Sequence, residues 1–237
     1  MKKIIKIIII KISRLLYWLT PQEFKNQHLI ALENKIAEHK TVNTFDNFKD
    51  IFKRSLIFKD KLSTQEYAIK TSLLNDKNQE YYYLELGVYK GDSSNFFSQF
   101  VKKLYSFDGF EGLKEDWIGT PNKKGDMNLN KQVPKLNSNV EITVGWVEDT
   151  LDDFLKKHNP KINFVHFDMD TYSPTKFALE KLKPYFVKNA ILIFDDYYNY
   201  IGWEYGEHKA FKELFDDKEF DYKALNIRGE ECVIQIK

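Results

Sequence analysis

The spacing of apolar residues changes its period along this chain, and the changes mark out its elements. In residues 1–20, Ile4, Ile5, Ile8, Ile12, Leu15, Leu16 and Leu19 recur at helical spacing. They predict one amphipathic helix, although so many β-branched isoleucines would also suit a strand. Pro21 ends it. Residues 22–80 contain no Gly or Pro and read as a helical region, with helices over 22–40, 45–59 and 64–74. From Tyr81 onward short apolar runs alternate with helical stretches. The run Tyr81-Tyr82-Tyr83 opens a buried strand that breaks at Gly87, and a helix follows over 95–102. Further strands are expected at 103–107, 139–144, 162–167 and 190–194, with helices from Glu148 and over 175–182. Residues 203–215 read as a helix. Residues 222–226 and 232–236 read as an antiparallel pair turning at Arg228-Gly229. The order predicts an α/β fold: a Rossmann-like, mostly parallel sheet closed by a terminal antiparallel hairpin. The organisation read from it is an N-terminal helix in 1–20, a helical cap in 21–80 and an α/β domain in 81–237.

The chain has 237 residues, of which 43% are hydrophobic and 16% aromatic, enough to bury a sizeable core. The net charge is +1, so bulk charge does not argue for a nucleic-acid partner. The single cysteine, Cys232, rules out an internal disulfide and fits a reducing, cytoplasmic compartment. The N-terminal segment carries basic residues and no acidic one before Glu23. Lys6 and Lys11 interrupt its apolar runs, so it is too broken to span a bilayer. Two readings stand side by side. The helix makes peripheral contact with anionic lipid at the inner face of the membrane, or it packs on the domain or on a second copy of the chain, giving a homo-oligomer.

Chemistry gathers at the strand ends. The turn after the first strand holds Gly87 and Gly91, with Tyr89 where a dinucleotide fingerprint needs its second glycine. A Cβ there would crowd a pyrophosphate, so the turn is not that fingerprint. Asp108 ends the next strand, at the distance from the glycine turn where a carboxylate meets ribose hydroxyls. Two later strands each run into a pair of carboxylates, Asp168 with Asp170 and Asp195 with Asp196. Aspartates at one strand end are commonly solvated or cap a helix. Two such pairs on consecutive strands favour a shared hard cation with oxygen ligands, such as Mg²⁺.

Five segments occur in order: Glu85-Leu-Gly-Val-Tyr-Lys-Gly91, Phe107-Asp-Gly-Phe-Glu-Gly-Leu113, Gly145-Trp-Val-Glu-Asp-Thr-Leu151, Phe167-Asp-Met-Asp-Thr-Tyr-Ser-Pro-Thr175 and Phe194-Asp-Asp-Tyr197. Together, over roughly residues 80–215, they resemble the macrocin O-methyltransferase family (TylF/MycF-like) within the class I S-adenosylmethionine (SAM) methyltransferases. The resemblance implies a SAM- and Mg²⁺-dependent enzyme that methylates a hydroxyl of a sugar in a natural product, nucleotide-sugar or surface glycan, its partner being a small-molecule or glycan acceptor with vicinal hydroxyls. It implies that Glu85, Gly87, Val88, Tyr89, Gly91 and Ser93 form the SAM turn, and that Asp108 and Gly109 hold the ribose. Trp146 is placed near the adenine and Asp168 beside the cofactor. Asp170, Asp195 and Asp196 are implied as metal ligands, with Asp170 also the proton acceptor; His166 and His208 are the other candidate bases. Met169 between the first two aspartates, Pro174, and Lys188-Asn189 before the next strand depart from the family pattern.

Two other readings suit the same residues. A catechol-type O-methyltransferase uses similar metal logic on a flat aryl substrate. A membrane-associated scaffold could keep a methyltransferase fold without catalysis, but the full acidic set argues against it. Nucleic-acid methylation is disfavoured because no Asn/Asp-Pro-Pro-Tyr/Phe motif is present.

Overall fold

The computed structural model describes residues 2–21 and 27–237, the side chains at 2–8 and 27–30 excepted. Residues 22–26, the start of the helix expected over 22–40, lie outside the described residues. The chain divides into two compact units, residues 1–46 and 47–237.

In the first unit, helix α1 (Lys2–Leu19) forms as the spacing requires, so the strand alternative for the isoleucine run does not hold. It closes where the Thr20 amide donates to Leu16 O (2.9 Å), one residue before Pro21. Helix α2 (Gln27–Phe52) runs on into the second unit without the interruption expected between residues 40 and 45. The Thr41 hydroxyl donates to Ala37 O (2.8 Å), so its competition for backbone groups is absorbed inside the helix.

The second unit is built on one eight-stranded sheet. In chain order its elements are β1 (Leu56–Phe58), α3 (Lys61–Asn75), β2 (Tyr82–Leu86), α4 (Asp92–Phe97), β3 (Leu104–Asp108) and β4 (Val140–Val144). They continue as α5 (Val147–His158), β5 (Ile162–Phe167), α6 (Tyr172–Leu182), β6 (Phe186–Phe194), α7 (Glu207–Lys212), β7 (Phe220–Asn226) and β8 (Cys232–Ile236). The strand order is β1-β7-β8-β6-β5-β2-β3-β4. Neighbours are parallel except that β8 is antiparallel to both β6 and β7. This is the class I methyltransferase arrangement, a Rossmann-like sheet carrying a terminal antiparallel hairpin.

Three expected helices are redrawn. Residues 56–58 lie not in a helix over 45–59 but in β1, parallel to the C-terminal half of β7. The second half of the expected cap, residues 47–80, is therefore part of the sheet unit: α3 packs against β5 and β6. Helix α4 starts at Asp92 and stops at Phe97, not over 95–102. The expected helix over 203–215 is a short 3₁₀ turn, Trp203–Tyr205, then α7, with Gly206 between them.

Alternation along the strands splits the core into two layers. Leu84, Leu86, Val165, Phe167, Leu192 and Phe194 face α5, α6 and α7. Tyr83, Phe164, Ile191 and Ile193 face Ala68 and Ile69 of α3. All of these are buried.

Candidate active site

The order of strands reverses beside β2: β3 and β4 lie on one side, β5 and β6 on the other. In open α/β sheets this switch point, at the carboxyl ends of the strands, is where ligands bind. The register puts the chemistry at one level. Leu86 pairs with Phe167, and Phe167 pairs with Phe194. One step beyond, the ladder continues: Asp168 N–H donates to Leu86 O (2.8 Å) and Asp195 N–H to Phe167 O (2.9 Å). Gly87 N–H donates to Phe107 O (2.9 Å) and Gly145 N–H to Asp108 O (3.0 Å). A cavity of about 330 Å³ opens there. Of the residues singled out in the sequence, Gly87, Val88, Tyr89, Asp108, Gly109, Trp146, Asp168, Asp170, Asp195 and Asp196 line it.

The glycine turn is held by Asp108. One of its carboxylate oxygens accepts from Val88 N–H (2.7 Å) and Tyr89 N–H (2.8 Å), the other from Phe110 N–H (2.6 Å). Gly87 has φ +92, and a Cβ there would sit 1.7 Å from Asp168 O. Only glycine meets both conditions. At the other end of the cavity the Trp146 ring lies against Gly109, with the Lys114 ammonium 5.1 Å from the ring centroid. Glu148 opens α5, and its Oε1 pairs with Lys114 (2.9 Å). Its Oε2 is buried without a hydrogen-bond partner.

The acidic centre sorts itself differently from the expected triad. Oxygens of Asp168, Asp170 and Asp196 all lie within 4.8 Å of one another. Asp195 is instead grouped with His166 and Asp168. Its Oδ2 accepts from Lys61 Nζ at 2.5 Å, and its Oδ1 faces His166 Nε2 at 3.5 Å. Burial pushes the Asp168 and Asp196 carboxyls well above their usual range, and the Asp195 charge pushes them further. The same causes raise Asp170 to about 7. Asp195 itself is held below the usual range, because His166 and Lys61 outweigh its burial. Asp170 also sits in the left-handed region, with φ 62. Aspartate tolerates that conformation at a cost that persists where the surroundings impose it.

Five sequence candidates do not line this cavity. Glu85 is fully buried on the α3 face of the sheet, because alternation turns it away from the side of Leu84 and Leu86. It accepts from Ser94 Oγ and from Ser106 Oγ (3.0 Å). His166 is its register partner across the β2–β5 pair, and His166 Nδ1 donates to Glu85 Oε1 at 3.2 Å. Burial pulls the imidazole down, but Asp195 and Glu85 together raise it to about 10. These two residues are thus a charged strut beneath the site rather than a cofactor contact and a base. Gly91 caps α4 from the left-handed region (φ 85), with Leu136 packed over it. Ser93 lines a neighbouring cleft of about 360 Å³ beside α3, which shares Lys61, Val88, Tyr89 and Asp168 with the main cavity. His208 packs among Phe48, Tyr197 and Trp203, with ring centroids 5.9, 5.0 and 4.7 Å away. Burial there lowers it to about 4, so it is a core residue and not a base.

Several lining residues escaped the sequence reading. Lys61, in the first turn of α3, is the main one. Burial pulls its ammonium down, but Asp195 and Asp168 leave it well above the ordinary lysine range. Phe110 and Met127, from the long segment between β3 and β4, also line the cavity. Glu207, the first residue of α7, is buried behind the acidic trio. Its Oε2 accepts from Asp196 N–H (3.2 Å), while its Oε1 has no partner. The signal for Glu207 was weak: a carboxylate one residue after Gly206 at a helix start.

A family model for a methyltransferase domain matches residues 84–197. No curated protein matches the sequence. Among solved structures, CalS11, a calicheamicin methyltransferase, is 20% identical with a TM-score of 0.61, covering 91% of this chain and 93% of its own. An apo structure of CalS11, described as a TDP-rhamnose 3'-O-methyltransferase, is 19% identical with a TM-score of 0.54, covering 91% and 95%. The O-methyltransferase NovP is 19% identical with a TM-score of 0.53, covering 74% and 79%. These similarities establish the fold; the matched domain spans the glycine turn, Asp108 and all four strand-end aspartates. A methyltransferase domain is thus matched over residues 84–197.

Proposed function

We propose that the chain transfers the methyl group of SAM to a hydroxyl of a sugar carrying vicinal hydroxyls, with a divalent cation such as Mg²⁺ at the acidic centre. The finer family reading is the macrocin type, on the five ordered motifs described above. One observation carries the proposal: the nucleoside-sized cavity ends at Asp168, Asp170 and Asp196, and a second cavity of about 240 Å³ opens from the other side of Asp170. Trp117, Tyr172, Tyr200 and Tyr205 wall that second cavity. Aromatic faces and polar tips suit the alternating apolar and hydroxylated faces of a sugar. The similarity to CalS11, which acts on TDP-rhamnose, and to NovP points the same way.

The residues fit both groups. Asp108 and Gly109 face the ribose end, Trp146 offers a ring to the adenine, and the unpartnered Glu148 Oε2 can accept from an exocyclic amine. Asp168, Asp170 and Asp196 offer only oxygen, and burial raises the cost of their mutual repulsion, which is the donor set and setting a hard cation satisfies. When bound, such a cation lowers the pKa of a coordinated hydroxyl and orients it. The chain's own part is to bring two reactants together. Gly87 and its turn fix one reactant, the aromatic wall fixes the other, and Asp170 sits at their junction, placed to take the hydroxyl proton. Phe110 and Met127 add apolar surface to the cavity wall. Asp195, pinned between Lys61 and His166, keeps the end of β6 in place.

The test is calorimetric titration with S-adenosylhomocysteine, with and without Mg²⁺, followed by a screen of sugars with vicinal hydroxyls. Nucleoside binding is expected in both conditions, a Mg²⁺ heat in wild type only, and its loss in Asp196→Asn. Methyl transfer is expected to stop on adding a chelator. Turnover that survives metal removal would overturn the role given to the cation. Folded protein that ignores the nucleoside would overturn the whole reading.

A further inference from the structure

The composition of helix α1 asks for a partner of its own. The first 22 residues hold five cations, Lys2, Lys3, Lys6, Lys11 and Arg14, and no acid. The side chains described from Ile9 onward leave large apolar surface in water: Ile9 is 59% exposed, Leu15 56%, Leu16 59% and Leu19 60%. With about 100° per residue, Ile9, Ile12, Leu15, Leu16 and Leu19 fall on one arc and Lys11, Ser13 and Arg14 fall off it. Ser13 Oγ donates to Ile10 O (3.0 Å), and just past the helix Thr20 Oγ1 donates to Leu16 O (2.7 Å). No described helix is long and apolar enough to cross a membrane.

We propose that α1 docks the protein in the plane of an anionic lipid surface, with the Ile/Leu arc in the headgroup boundary and the cations toward lipid phosphates. Charge complementarity selects this occupant. A second copy of the helix would bring five more cations against the first five with no carboxylate to offset them. A neutral bilayer would leave those cations unused. Interfacial helices of this kind combine an apolar face with Lys and Arg off it, and large exposed apolar faces of this kind are uncommon on free monomers. The inference is independent of the methyl-transfer reading, because its readout is binding to lipid.

The test is co-sedimentation of the full chain with phosphatidylcholine vesicles, with and without roughly one third phosphatidylglycerol, alongside light scattering for mass. Binding is expected to the anionic vesicles only and to weaken with salt. A surface cation contributes roughly fivefold to partitioning, so Lys11→Gln/Arg14→Gln is expected to weaken it about 30-fold. Leu15→Ser/Leu16→Ser is expected to lose vesicle binding altogether. Both variants are expected to keep nucleoside binding, which shows that they are folded. Equal binding to neutral vesicles would overturn the proposal. So would no binding to either vesicle together with a dimer that Leu15→Ser/Leu16→Ser dissociates, which would assign the face to a second copy.

Discussion

His208 offers the sharpest check on how this site was delimited. In the sequence it is a candidate base; in the structure it is wedged between Phe48, Tyr197 and Trp203. Burial, assisted by the nearby Lys212 charge, lowers it to about 4. An unfolded histidine titrates near 6.5, so the native state binds fewer protons below that pH. Its folded value is depressed, so the stability it contributes is present above about 6.5 and lost as pH falls toward 4. The fall from about 6.5 to about 4 corresponds to about 0.8 kcal/mol lost by pH 6 and about 2 kcal/mol by pH 5. For a chain of this size 2 kcal/mol moves the melting temperature by roughly 4–8 °C. The carboxylates of the acidic centre also titrate, so the assay is a difference. Thermal melts of wild type and His208→Phe at pH 7.5, 6 and 5 are expected to diverge as pH falls, the variant losing less. The variant is also expected to keep its turnover at pH 7.5. Parallel losses in the two proteins, or a variant that folds but no longer turns over, would refute the assignment of His208 to the core.

Three further outcomes follow from named contacts. Gly87→Ala combines φ +92 with a Cβ 1.7 Å from a backbone oxygen, and is expected to cost about 3 kcal/mol or more, read as a fall in melting temperature and loss of nucleoside binding. Glu85→Gln leaves the His166 charge buried with one partner fewer, and is expected to destabilise by about 3 kcal/mol while nucleoside affinity of the folded fraction, measured by calorimetry, stays unchanged. Lys61→Met removes a positive charge that offsets part of the acidic centre, where it acts on Asp168 and Asp170 as well as on Asp195. Lys61 is nearly half exposed, so screening limits the pair to about 1 kcal/mol, and Mg²⁺ is expected to bind about fivefold more tightly by titration; weaker binding would show that the lysine helps assemble the site instead.

The strand ends were legible in the sequence because each apolar run stops on a residue whose chemistry differs sharply from the run itself: Gly87 after Leu86, Asp108 after Phe107, Asp168 after Phe167 and Asp195 after Phe194. Parallel pairing then forces those breaks to one edge. What failed was side-chain direction and distance. Glu85 and His166 are one residue short of the strand ends, and period-two alternation, already visible in Leu84 and Leu86, turns them to the other layer. Lys61 lies far from Asp195 in sequence, and nothing local marks a helix's first lysine as the neighbour of a distant aspartate. His208 owes its environment to Phe48, from the far end of the chain. Strand β1 is three residues long inside a stretch without Gly or Pro, and only its pairing with β7 makes it a strand.

That last pairing bears on how the molecule is made. Strand β1 leaves the ribosome early, yet the strand it joins is the second last of the chain. Contacts of such high sequence separation form slowly, because a long loop must close before they are rewarded. The sheet therefore grows outward from the neighbours β2, β3 and β5, and the hairpin of β7 and β8 must arrive before the early strand has anywhere to go. Until then Leu56, Ile57 and Phe58 wait without a partner. A chain cut before Tyr82 would never supply them, and β7 would keep an open edge for another molecule to occupy.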